Sequence, residues 1–292
     1  MYCEEECTTF CATDGKNCIN GCDEMEIVNI PNGAERIIST SSKGDQSKWQ
    51  IGNKWVKQNA RGYEGIAEYV ASLILVNSTL PLTEYVTYTP CKIGLSNGKI
   101  EDGCISSDFR GKYEQEISLE RLFEKNFTLT SSIINNAKLS TSEKVTHIIE
   151  KVYEFTNLDI AIPLKRMLAF DAFILNEDRH TNNIVFLYDI RENSWKLAPL
   201  FDHGLSLLSD VKDYPMNMDL QILKRKIKAK PFNSSFKKQL AVYDGPPFIK
   251  VESLKQDILS SPYPLGRIPE LLELQLNDPM YEKILIRGTN HD

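Results

Sequence analysis

Apolar positions along this chain recur with two different periods, and the switch between them divides it. "WQIGNKWVKQ" (49–58) alternates aromatic and branched residues around Gly52-Asn53, which predicts two short strands joined by a tight turn. "GYEGIAEYVASLILVNS" (62–78) changes to helical spacing, with Ile66, Val70, Leu73 and Ile74 on one face. "TEYVTYTPCKIGLSNGKIEDGCISSDF" returns to alternation, with turn chemistry at Asn97-Gly98 and Asp102-Gly103. From about Glu114 the spacing is mostly helical, through "SLERLFEKNF", "SEKVTHIIEKVYEF" and "IPLKRMLAFDAFIL". Earlier in the chain, "STSSKGDQSKW" (39–49) is small and polar and predicts no regular element. The order implies an α+β chain with a leader (1–24), a strand-rich N-lobe (25–112) and a helical C-lobe (113–292). Clefts between lobes favour small-molecule sites.

Composition narrows the class. The chain has 292 residues, 41% of them hydrophobic, enough for a sizeable core. A net charge of −6 argues against non-specific binding to nucleic acid or to an anionic membrane. The apolar run "YVASLILV" (69–76) is far too short to span a bilayer. "MYCEEECTTF" lacks the basic and apolar regions of a signal peptide, so a soluble, cytoplasmic protein is expected, with signal-independent secretion left open. Five of the seven cysteines fall in the first 22 residues. Cys7-x3-Cys11 and Cys18-x3-Cys22 could offer four thiolates to Zn²⁺, but the pairs lie closer together than in usual zinc modules. A reduced leader without a metal is the leading reading, and Zn²⁺ the minor one. Cys91 and Cys104 read as small hydrophobes in strands.

The chemistry concentrates in "ILNEDRHTNNIVFLYD" (174–189). "NIVFLY" and "WKLAPLF" pair as an antiparallel hairpin; a turn centred between Glu192 and Asn193 puts Asn183 opposite Asp202, with Asp178 just upstream. Two carboxylates and an amide oxygen in one volume suit Mg²⁺, which completes its shell with phosphate and water. Phosphoryl-transfer enzymes divide labour in this way, one Asp engaging the attacking hydroxyl while an Asn and a second Asp hold the metal. Taken singly, the same residues are also ordinary turn and ion-pair residues. Upstream, Lys57 ends the strand "KWVK", and Glu64 or Glu68 on the next helix could fix it by an ion pair. "STSSKGDQSK" could cover phosphates with backbone N–H groups, although it matches no Walker or G-x-G-x-x-G pattern.

The ordered set "GDQSK", "KWVK", "AEYVASLIL", "NEDRHTNN" and "LAPLFD" resembles the HipA-type serine/threonine kinases, in their short stand-alone (CtkA-like) form. It is more distantly similar to the phosphatidylinositol kinases. The likeness spans roughly residues 36 to 210 and implies a two-lobed protein-kinase-like fold with ATP bound between the lobes. By resemblance Asp178 engages the substrate hydroxyl, Asn183 and Asp202 hold Mg²⁺, Lys57 contacts nucleotide phosphates with Glu68 as partner, and His180 braces the catalytic loop. Ser42, Lys43, Gly44 and Gln46 belong to the mobile phosphate loop, and autophosphorylation falls within Ser39, Thr40, Ser41 and Ser42, with Ser41 first. The implied partners are ATP, a protein carrying a Ser or Thr acceptor and an antitoxin-like inhibitor, with no membrane and no direct nucleic-acid partner. Two other readings remain: a lipid or small-molecule kinase, and a metal-stapled interaction module that binds nucleotide without catalysis. "KRKIKAK" (224–230) stands outside the motif set; it reads as a solvated face, or as a dock for acidic protein, phosphate or RNA.

Overall fold

The computed structural model describes residues 25–41 and 44–288. The leader cysteines and their Zn²⁺ reading, together with Ser42 and Lys43, lie outside the described residues. The N-lobe is built from β1 (Ile27–Asn29), β2 (Ile37–Ser41), β3 (Gly44–Ile51), β4 (Lys54–Gln58), helix α1 (Glu64–Val76), β5 (Tyr88–Gly94) and β6 (Ile100–Ser107). Its six strands lie in the order β1-β5-β6-β4-β3-β2, with β1 parallel to β5 and the other pairs antiparallel.

Residues 39–49 are a correction. The stretch was expected to be irregular, yet residues 39–41 end β2 and residues 44–49 make up most of β3, paired Ile37↔Lys48 through Ser41↔Gly44. Backbone pairing with β4 explains it: Trp49 faces Val56 on the neighbouring strand, and both are buried with Cys91 and Ile93. Strand propensity here comes from packing at one end, not from the serines.

Helix α1 crosses the sheet and buries Ala67, Val70, Ala71, Ile74 and Leu75 in the main core. Gly65 sets how close it comes. A Cβ there would lie 2.6 Å from the Gly103 carbonyl oxygen on β6, so only glycine lets the helix settle onto the strand.

The C-lobe opens with β7 (Glu114–Ser118), where helix had been expected, and continues as α2 (Leu119–Asn126), α3 (Thr130–Ile134), α4 (Thr141–Thr156) and α5 (Ala161–Ile174). α4 begins on a capping box between Ser140 and Glu143. α5 is buried almost all round, from Met167 to Ile174, and stops at Leu175 in the left-handed region. β8 (Val185–Asp189) and β9 (Ser194–Leu197) join β7 in a three-stranded sheet. Then come α6 (Leu220–Lys226), α7 (Phe236–Ala241), β10 (Ile249–Lys250), α8 (Val251–Leu259), α9 (Ile268–Leu276) and β11 (Leu285–Ile286).

The β8–β9 register also departs from expectation. Phe186 pairs with Leu197 and Asp189 with Ser194, so the turn is centred one residue earlier, between Arg191 and Glu192, each partner is displaced by two residues, and Asn183 does not face Asp202 in a ladder. Asp189 determines this: its carboxylate accepts from the N–H groups of Arg191 (2.8 Å) and Glu192 (3.0 Å), and Asn193 closes the loop at φ 48°. A shift of two residues keeps every side chain on its face.

Candidate active site

Three elements meet at Lys57. The lysine is buried at the end of β4, and its Nζ donates to Glu68 Oε1 of α1 and to Asp202 Oδ1, each at 2.7 Å, and to the Tyr88 hydroxyl at 3.2 Å. Glu68 is held in turn, since Oε2 accepts from the His203 backbone N–H at 2.8 Å. Burial alone would lower the Lys57 pKa, but Asp202 and Glu68 hold it well above the usual lysine value. Burial likewise works against ionised Asp202, yet Lys48, Lys57 and Arg179 keep it well below the usual carboxylate range. Both groups are therefore charged, an ion pair in a poorly solvated cleft.

Glu64 is not an alternative partner for Lys57. It turns back over the helix N-terminus, where its carboxylate accepts from the N–H groups of Ala60, Arg61 and Gly62 at 3.1, 2.6 and 2.9 Å. Those N–H groups belong to the turn that leads into α1, so Glu64 fixes the entry of the chain into the helix.

The loop after α5 is knitted by a residue the motif reading passed over. Arg179, fully buried, donates through Nε and Nη2 to both oxygens of Asp171 at 2.8 and 3.1 Å. Its Nη1 donates to the carbonyls of Asn183 (3.0 Å) and Phe201 (3.1 Å). One guanidinium thus ties Asn183 to the residue preceding Asp202, doing the work that the expected strand register was to do. Asn176 completes the knot, donating to Asp171 at 2.8 Å and accepting from the Asp178 N–H at 3.1 Å. A sequence signal existed: Asp171 is a lone acid in the apolar run "MLAFDAFIL", and a carboxylate buried there needs a cationic partner.

Asp178 sits at the mouth of this knot, with Lys230 Nζ 3.3 Å from Oδ1 and His180 Nε2 3.9 Å from Oδ2. His180 joins the loop through its backbone, donating to the Asp178 carbonyl (2.8 Å) and accepting from the Asn183 N–H (2.9 Å), while its Nδ1 is buried without a hydrogen-bond partner. Burial lowers its pKa, which favours the neutral ring.

Asp202 occupies the left-handed region at φ 61°, a conformation Asp tolerates better than most residues, and this swings its carboxylate toward the N-lobe. Among the described residues no three His, Cys, Asp or Glu side chains group as for a metal ion. The candidate donors are one carboxylate, Asp202, and one amide, Asn183, whose Nδ2 is used on the Asp178 carbonyl at 3.2 Å. An oxygen-only set this small fits Mg²⁺, which takes few protein ligands and keeps the rest for phosphate and water.

Next to Lys57 opens a cleft of about 230 Å³ between the lobes, walled by Trp55, Val86, Tyr88 and Ser106 above and by Phe109 and Phe201 below. The two phenylalanine rings lie 5.0 Å apart. None of these wall residues was singled out from sequence: Trp55, Tyr88 and Ser106 read as ordinary strand positions, and Val86, Phe109 and Phe201 lie in connecting segments that carry no periodic signal. Of the expected phosphate-loop residues, Ser39, Thr40, Ser41, Gly44 and Gln46 lie on the paired strands β2 and β3. Lys48, also on β3, faces Lys57 across the β3–β4 ladder and stands 3.4 Å from both Asp202 oxygens.

No family model and no curated protein matches the chain. Solved structures do. CtkA, a proinflammatory kinase of Helicobacter pylori, superposes with a TM-score of 0.56 at 15% identity, over 88% of this chain and 95% of its own. A chain of the HipA, HipB and operator DNA complex of Shewanella oneidensis MR-1 reaches 0.40 at 10% identity, over 88% and 60%. The Golgi casein kinase reaches 0.43 at 11%, over 89% and 72%. Strand-rich lobe, helical lobe and intervening cleft together give this chain the two-lobed kinase fold seen in CtkA.

Proposed function

We propose that the chain is an ATP- and Mg²⁺-dependent kinase of the HipA type, acting on Ser or Thr hydroxyls of proteins, its own included. Lys57 carries this reading: one buried ammonium joins α1 through Glu68 to the candidate metal ligand Asp202, at the inner end of an apolar interlobe cleft. Phosphoryl transfer depends on positioning and charge neutralisation, and this arrangement supplies both.

The adenine ring is assigned to the cleft between Val86 and the Phe109–Phe201 pair, which leaves the phosphates directed at Lys57. Lys57 steadies them, and Glu68 holds Lys57 in place through the exchange of Asp202 contacts. Asp202 and Asn183 would hold Mg²⁺, which supplies neutralisation of charge on the phosphate oxygens. Asp178 orients the acceptor hydroxyl and takes its proton as transfer proceeds. Arg179 fixes the Asn183–Asp202 separation and touches no substrate.

The test is the intact mass of the protein before and after incubation with ATP and Mg²⁺, beside Asp178→Ala. Phosphate on the wild type alone, mapping to Ser39–Ser42, is the expected result. ATP binding with no phosphorylated protein, own chain or added, would overturn the protein-kinase reading in favour of a small-molecule or lipid acceptor. No ATP binding would overturn the kinase reading itself.

A further inference from the structure

From Leu220 to Tyr243 the chain carries seven Lys or Arg residues and no Asp or Glu, within a protein whose net charge is −6. The segregation has a location. Arg225 and Lys228, with Lys237 from α7, rim a pocket of about 290 Å³ floored by Leu175, Ile227 and Phe236. Leu175 ends α5, three residues before Asp178, so this pocket adjoins the candidate catalytic loop. At the inner end of the same segment Lys230 Nζ lies 3.3 Å from Asp178 Oδ1. Lys228 at the rim and Lys230 at Asp178 are two residues apart, at most about 7 Å between Cα atoms.

The strip is built rather than loose. Gln239, fully buried, grips the chain on both sides of Pro231: its Nε2 donates to the Lys230 carbonyl at 2.9 Å and its Oε1 accepts from the Phe232 N–H at 3.1 Å. Facing acids are few; Asp278 takes Lys224 at 3.8 Å and Asp178 takes Lys230, while Arg225, Lys226, Lys228, Lys237 and Lys238 are exposed. Phe236 and Tyr281, the aromatic residues of the pocket, are buried, so no exposed ring is offered for stacking on a nucleobase.

We infer that this basic strip is the acceptor-docking surface of the kinase, and that it selects peptides in which acidic residues flank the Ser or Thr. The inference rests on the proposed kinase activity for its catalytic consequence, but not for binding. Carboxylates of the acceptor would pair with Arg225, Lys228 and Lys237, which places the adjoining hydroxyl at Asp178. Clusters of rim charges act chiefly on encounter and selectivity and weaken with salt.

Two measurements test it, using the full chain. The first is transfer to a serine peptide flanked by glutamates, against the same peptide flanked by glutamines. The wild type should prefer the acidic peptide, and Arg225→Glu/Lys228→Glu/Lys237→Glu should raise its KM by about tenfold or more while kcat and the KM for ATP stay unchanged. The milder Arg225→Gln/Lys228→Gln/Lys237→Gln variant should shift in the same direction and guards against a folding defect. Equal KM for both peptides on the wild type, or a kcat loss shared by all peptides, would overturn the inference. The second measurement is fluorescence anisotropy of the labelled acidic peptide without nucleotide, which reports docking even if no phosphate is transferred to any acceptor. Weaker binding to both triple variants and at 0.5 M salt is expected; identical binding to wild type and variants overturns the surface. Tighter binding of a single-stranded RNA oligonucleotide at the same salt would overturn the peptide assignment in favour of nucleic acid.

Discussion

Replacing Arg179 by methionine would strip the candidate catalytic loop of its central donor without adding bulk. Asp171 would keep only Asn176, and the carbonyls of Asn183 and Phe201 would each lose a partner. Removing one member of a buried ion pair costs about 3–5 kcal/mol, because the charge left behind is uncompensated. The surviving Asn176 bond offsets part of this and the orphaned carbonyls add to it, so about 4 kcal/mol is expected. Against a typical total of about 5–15 kcal/mol that is a large share. In thermal unfolding it should lower Tm by roughly 7 °C. The informative control is Arg179→Met/Asp171→Leu, in which no charge is buried. It should recover about 2 kcal/mol or more relative to Arg179→Met alone, since apolar pairs replace buried ion pairs at little cost. A loss below about 1 kcal/mol, or no recovery in the double variant, would refute the claim that this guanidinium holds the loop.

Other outcomes follow from the same geometry. Lys57→Met should reduce phosphoryl transfer by about 10²-fold or more, read as the initial rate of phosphate incorporation. Asp202→Asn should abolish Mg²⁺-dependent turnover with the circular dichroism unchanged; full activity would remove Asp202 from the metal site. Gly62→Ala would bring a Cβ to 2.1 Å from the Ser209 carbonyl oxygen, and limited proteolysis should show new cleavage near residues 204–214. Burial raises the Cys91 thiol to about 11 and the Cys104 thiol well above its usual value. At pH 8 only about one Cys91 in a thousand is then thiolate, and alkylation rises with pH; peptide mapping after iodoacetamide should find both unmodified in the folded protein and modified in urea.

How far the sequence could be read depended on where the information lies. α1, α4 and α5 were legible from the spacing of their apolar residues, and α4 from the Ser140–Glu143 capping box besides. The turn end of the β3–β4 hairpin was legible from Gly52-Asn53, but the end of β2 and the start of β3 were not, since Ser39–Ser41 and Gly44–Lys48 are small or polar and their pairing is supplied by the fold. The Asn183–Asp202 register was misplaced by two residues because the turn is set by an Asp189 carboxylate on backbone N–H groups, which alternation does not encode. Glu64 and Glu68 are equivalent by composition; the turn before α1, whose N–H groups Glu64 accepts, separates them. Arg179 is harder still, as its three partner residues come from α5, the loop and the segment before Asp202. Such long-range closures leave no local pattern.

The clamp at the start of α1 has a mechanical consequence. Tyr63 donates to the carbonyls of Leu207 and Leu208, Arg61 pairs with Asp210, and Arg267 of the C-lobe donates to the Tyr63 hydroxyl and to the Leu208, Tyr214 and Pro215 carbonyls. The other side of α1 rests on β6 through Gly65. Held from both sides, α1 has little freedom to shift against either lobe, so a displacement of the sheet about it would grow with distance from β6. β2 lies three strands from β6, a lever arm of about 14 Å at the usual strand spacing, whereas Lys57 on β4 is one strand away. A 10° rocking motion would therefore carry the serine-bearing hairpin about 2.5 Å while moving Lys57 by less than about 1 Å. The Lys57–Glu68 contact would be scarcely stretched by it.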